Sequence, residues 1–167
     1  SGKAEFGERV EKARAGIDAA VRKVDAAIAS RSSELGELPA WRDFKARWTT
    51  LTGTYAGMKA PENLKAHTEV IALLLKAMDQ VADKSGLVLD PEMASYYLMD
   101  VALMQLPSIT ERMGVGRATG ALILSEKSLT QARRDAMIAG LVEIRLRNDA
   151  VVNGIEKAFS EDPAGRE

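Results

Sequence analysis

No cysteine occurs in the 167 residues, which excludes disulfides, a thiol nucleophile and a cysteine-built zinc site, and leaves the redox compartment open. A single histidine cannot supply the paired Glu-x-x-His repeats of di-iron bundles. Aromatics make up only 5% of a chain that is 46% hydrophobic, so the apolar mass is Ala, Leu, Val, Ile and Met, which suits closely packed helices. Neither sign of charge dominates: 23 basic residues meet 24 acidic ones, with no basic run to track a phosphate backbone, which argues against nucleic acid. No apolar stretch nears the roughly 20 residues of a membrane span. Ser1 and Gly2 look like an expression-tag remnant, so any signal or membrane segment is expected outside this sequence. There is no Gly-rich phosphate loop and no nucleophile elbow. The domain is therefore not expected to be an enzyme, and no cofactor or metal is expected.

What is present is helical periodicity, and the length suits one domain over 1–167. The spacing predicts a first helix from Ala4 to Arg31 with Val10, Ile17, Val24 and Ile28 on its stripe, ended near Gly36. Pro39 is placed to start a second helix carrying Trp41, Phe44, Trp48 and Leu51. Gly53, Gly57 and Pro61 should break or kink that arm before a run to Lys84, in which Leu64, His67, Ile71, Leu74, Met78 and Val81 share a stripe. Asp90, Pro91 and Glu92 form a helix start, with Asp90 as the cap. The third helix extends to Ser125 with a bend at Pro107, and Ser128 with Gln131 has capping-box form for a last helix reaching Phe159. The expected fold is all-α: an antiparallel up-down-up-down four-helix bundle with a broken or kinked second arm. Its even number of arms returns both termini to one end.

Few residues on this scaffold can carry chemistry. His67 lies on an apolar stripe; a partly buried histidine bonded to a backbone or carboxylate group is the plainer reading, a ligand or proton switch the sharper one. Tyr96 and Tyr97 point about 100° apart, and Tyr96 can meet Asp100 four residues on, as a polar pocket wall or as a tyrosine that fills the bundle end with its hydroxyl satisfied by a carboxylate. Gly116 and Gly120 have small-x-x-x-small spacing, which suggests tight packing. Arg117 sits inside that run, where it must reach a carboxylate, helix-end carbonyls or solvent, or await an anionic ligand. The candidate ligand-binding set is thus Tyr96, Tyr97, Asp100, Arg117 and His67.

Several of these residues fall in segments that resemble a known family. Val81 to Pro91 (VADKSGLVLDP), Ser95 to Asp100 (SYYLMD), Leu106-Pro107 and Gly116 to Gly120 (GRATG), with His67-Thr68 and Trp48 upstream, are similar to the helical periplasmic sensor domains of bacterial histidine kinases, chemoreceptors and diguanylate-cyclase receptors. The resemblance covers about residues 48 to 124. The family has further helix ahead of this region with a His-Arg-Gly motif that this sequence does not contain, so a ligand site drawing on that segment would be incomplete here. The resemblance implies a periplasmic part of an inner-membrane receptor, with a histidine kinase as first choice of parent and a chemoreceptor as second. It implies a small-molecule ligand, a homodimer in the intact receptor and flanking segments in the membrane. The competing expectation is an interaction or dimerisation bundle with no small-molecule pocket.

Overall fold

The structure, a computed structural model, describes residues 2–161, so Ser1 of the expected tag remnant lies outside the described residues. No strand occurs among the described residues, and the protein is all-α. Nor is any helix among them long and apolar enough to cross a membrane. The chain divides into two compact units, 1–37 and 38–167.

The first unit consists of α1 (Gly2–Ser30) and the single turn α2 (Ser32–Leu35). At 1.5 Å per residue α1 is about 44 Å long. It closes with the Ser30 hydroxyl donating to the Ala27 carbonyl at 2.8 Å. Gly36 ends α2 at φ 56°, a region costly to residues bearing a Cβ, and donates its N–H to the Ser32 carbonyl at 3.0 Å. On the predicted stripe Ile17 and Val24 remain 40% exposed.

In the second unit, α3 (Pro39–Thr54) and α4 (Ala60–Lys84) are joined by a tight turn, Tyr55–Gly57, and an extended Met58. The break is a reversal. The Ala40 N–H donates to Gln80 Oε1 at 3.1 Å, Arg47 pairs with Glu69 at 3.0 Å, and Asn63 Nδ2 donates to the Tyr55 carbonyl at 3.1 Å. Partners that close in from both ends of the sequence define an antiparallel hairpin. Trp41, Phe44 and Leu51 are buried on α3, with the Trp41 and Phe44 rings stacked at 5.1 Å, and Val70 and Ala77 are buried on α4. The predicted α4 stripe is only half-buried, because α4 packs on two neighbours: Val70 and Ala77 face one way, while Leu64 and His67 line a groove with Ala118 and Leu122.

A connection with Gly86 at φ 75° leads to α5 (Met93–Met99). Asp90 serves the entry from outside the helix: its Oδ1 accepts the Glu92 N–H at 2.9 Å and its Oδ2 the Ser95 hydroxyl at 2.7 Å. Those two donors hold the Asp90 carboxyl below its ordinary pKa. Next come a π-helical segment, Asp100–Gln105, and α6 (Leu106–Glu126). The bend expected at Pro107 takes the form of this wide turn, since a proline inside a helix has no N–H to give and crowds the carbonyl four residues back. The Leu106 N–H accordingly reaches back five residues to the Val101 carbonyl.

Lys127, at φ 50°, terminates α6, and α7 (Gln131–Glu161) follows. The cap of α7 is Thr130, whose hydroxyl accepts the Arg133 N–H at 3.3 Å. Ser128, the expected cap, instead uses its carbonyl to accept from the Arg133 guanidinium at 3.1 Å. α7 runs antiparallel along α5, the π segment and α6 in one register, with Arg133 on Glu126, Glu143 on Arg112, Arg147 on Gln105 and Lys157 on Tyr97. Close packing falls at Gly154, not at Gly116 and Gly120: a Cβ on either of those meets nothing within 4 Å, whereas on Gly154 it would meet Val101. On α7, Ile138, Leu141, Val142, Leu146 and Val152 are exposed.

Candidate functional site

Among the described residues of the second unit, grooves between α3 and α4, α4 and α6, and α6 and α7 differ in charge. The α3–α4 groove, about 280 Å³, carries two cations and two carboxylates: Arg47 and Lys65 with Glu62 and Glu69. Both cations pair with one of the carboxylates, Arg47 to Glu69 at 3.0 Å and Lys65 to Glu69 at 4.0 Å. The α4–α6 groove, about 620 Å³, is lined by Leu64, His67, Ala118 and Leu122, with Asn63 and Ser125 as further polar groups. The α6–α7 groove, about 390 Å³, contains Arg112 and Arg117 among apolar and small residues such as Met113, Met137 and Leu141, and no carboxylate lines it.

The predicted site residues are distributed over these places. His67 belongs to the α4–α6 groove. Its Nδ1 lies 2.9 Å from the Asn63 carbonyl of its own helix, and because a carbonyl only accepts, Nδ1 carries the hydrogen of that bond. Arg117 lies on the α6–α7 groove, exposed, with no carboxylate pairing it among the described residues. Tyr96, Tyr97 and Asp100 are together on α5 and the start of the π segment. The two rings meet edge-on at 5.6 Å, and the Tyr97 hydroxyl accepts from Lys157 Nζ at 3.1 Å with the ammonium 4.8 Å from the ring centre. Tyr97 thus has the satisfied hydroxyl of the plainer reading, through a lysine rather than a carboxylate. Asp100 turns to Gln105, whose Nε2 donates to both carboxylate oxygens at 3.2 and 3.3 Å. No single pocket gathers the five.

Sequence reasoning missed the polar set beside the Arg117 groove. Arg112 Nε donates to Glu143 Oε2 at 2.7 Å, Arg147 Nε donates to Glu143 Oε1 at 3.2 Å, and the Arg147 guanidinium donates to Gln105 Oε1 at 3.3 Å. Burial works against the Glu143 charge, but hydrogen bonds and attraction from the two arginines outweigh it and hold the carboxyl below its ordinary pKa. The i, i+4 spacing of Glu143 and Arg147 was visible. Counting outward from the reversal near residue 128 would also have set Arg112 opposite Glu143.

Residues 1–161 match the family described as nitrate and nitrite sensing, and the chain belongs to that family. Its members are extracytoplasmic sensor domains of bacterial membrane receptors such as histidine kinases and chemoreceptors. No curated protein and no solved structure matches the chain.

Proposed function

We propose that this domain binds a small oxyanion of the nitrate and nitrite class at Arg117 in the α6–α7 groove, and reports its presence to a histidine kinase across the membrane. The supporting observation is the groove's charge: two guanidinium groups and no carboxylate among its lining residues, with Glu143 already shared between Arg112 and Arg147. A guanidinium offers two parallel N–H donors to a flat oxyanion, which a lysine ammonium cannot reproduce. The domain itself performs no reaction. It signals because the anion favours one of two helix packings over the other, and it works as a homodimer within the intact receptor.

Size limits the affinity. With at most about 1.5 kcal/mol per non-hydrogen atom, the four atoms of nitrate reach about 6 kcal/mol, a Kd no tighter than roughly 40 μM. Thermal unfolding in millimolar sodium nitrate, against sodium chloride at equal ionic strength, tests the reading. At 100 times Kd the native state should gain about 2.7 kcal/mol, and Arg117→Ala and Arg117→Lys should both lose most of that gain. Equal stabilisation by nitrate and chloride, or an unaltered nitrate response in Arg117→Ala, rejects it.

A further inference from the structure

Arg112, on the groove, begins a continuous chain of polar contacts that leaves it: Arg112 to Glu143 at 2.7 Å, Glu143 to Arg147 at 3.2 Å, Arg147 to Gln105 at 3.3 Å and Gln105 to Asp100 at 3.2 Å. The far end is the π-helical segment. We infer that this relay couples the anion groove to the π turn, so that an anion engaging Arg112 loosens the contacts that hold Asp100–Gln105 in its wide register. The inference rests on the reading of the groove as an anion site.

The geometry supplies both states. In an α-helix, residues five apart point about 140° away from each other and cannot pair. Asp100 and Gln105 are five apart and do pair, because the π register brings i and i+5 together. Gln105 can hold that pairing because its two amide atoms are used at once: Nε2 donates to Asp100 while Oε1 accepts from Arg147. The alternative is a turn in which the Leu106 N–H leaves the Val101 carbonyl for that of Ala102, four residues back, which separates Asp100 from Gln105.

The charges supply the drive. Arg112 and Arg147 share one carboxylate, Glu143, each on its own oxygen, while Arg117 stands on the same groove as Arg112. An anion beside Arg117 offers Arg112 a second acceptor. Without Arg112 to fix it, Glu143 no longer holds Arg147 in place, and Arg147 releases Gln105. Both ends therefore bias one bistable element, which is what coupling between separate sites requires.

Hydrogen exchange on the whole chain tests the relay in two arms. Without added anion, Glu143→Gln should speed exchange of the amides of residues 101–106 about tenfold, with α3 and α4 amides unchanged. If α3 and α4 exchange faster as well, the variant is unfolding as a whole, and the same comparison is made with Gln105→Leu, which breaks the relay and keeps every ion pair. Unaltered exchange at 101–106 in a folded variant overturns the relay, whatever nitrate does. In the second arm, millimolar sodium nitrate should alter exchange at 101–106 in the unmodified protein. Gln105→Leu should bind nitrate as tightly yet lose that response, and a response that persists in it overturns the relay. If the unmodified protein fails to bind nitrate, the anion reading falls, and with it the anion's part in the inference.

Discussion

Gly154 and Val101 meet so closely that a Cβ on Gly154 would lie 2.9 Å from Val101 Cγ2. Val101 is buried and its branched carbon has little room to retreat. Gly154→Ala should therefore destabilise the protein. Overpacking costs about 1–3 kcal/mol, against a helix-propensity gain of about 0.5–1 kcal/mol. A net loss near 1 kcal/mol lowers Tm by roughly 2–4 °C. Adding Val101→Ala should cancel the clash, so the double variant should lose less than the two single losses added together. Simple additivity in a double-mutant cycle would show that the two residues do not oppose each other.

Lys127 holds a left-handed conformation, φ 50°, at the reversal between α6 and α7. Lys127→Gly should stabilise the protein. The conformational penalty of about 1–2 kcal/mol exceeds the freedom, about 0.4–1 kcal/mol, that glycine adds to the unfolded chain. A Tm unchanged or lower would show that the lysine side chain makes a compensating contact.

Two carboxylates carry opposite pH signatures. Glu143 has its pKa lowered on folding, so its contribution is present above the ordinary value of 4.5 and fades as pH falls through its folded pKa. Glu111 is raised: burial opposes its charge more than the Thr68 hydroxyl and Arg112 favour it, and its Oε1 has no partner. Its protonated form suits the fold, so stability is lost as pH rises from 4.5 through the raised value. Glu111→Gln should therefore gain in Tm relative to the unmodified protein as pH goes from 4 to 8. A difference that is flat with pH, or that shrinks, rules this out.

His67 lines a different groove from Arg117 and bonds to its own helix. His67→Gln should shift stability while leaving nitrate affinity within about twofold, as expected of sites that share no partner. A stable variant that no longer responds to nitrate would make His67 part of the anion site.

The isolated domain is expected to be a monomer or weak dimer in dilute solution, and to form a parallel dimer when a coiled coil is fused at either terminus, since tethering raises the effective concentration of the two copies. Sedimentation equilibrium on both forms decides it. A tight antiparallel dimer of the isolated domain would contradict the receptor geometry.

The helices were legible in the sequence because their signals are local. Pro39 does open α3, the break at Gly53 to Pro61 does end it, and Gly36 ends the turn before Pro39 at positive φ. What was illegible depends on partners distant in sequence. One stripe was expected on α4, but its neighbours on two sides divide the burial between Val70 and Ala77 on one face and Leu64 and His67 on another. Small residues at Gly116 and Gly120 suggested close packing, yet only the hairpin register reveals that Gly154 is the one pressed against another helix. Of the arginines on the α6–α7 groove, Arg117 stood out as a charge in a run of small residues. Arg112, Glu143 and Gln105 were not, because each looks like an ordinary surface residue until α7 is laid beside α6.

The π segment also bears on how this arm tolerates insertion and deletion. A turn closed by i→i+5 bonds holds one residue more than an α turn, so Asp100–Gln105 contains a surplus residue relative to the uninterrupted α7 alongside it. Removing one residue there converts the arm into a plain α-helix and leaves the faces on either side aligned with α7. Removing one anywhere else in α5 or α6 rotates everything beyond it by about 100°. The six residues of the wide turn are therefore the place where this arm can change length by one and still fit its partner.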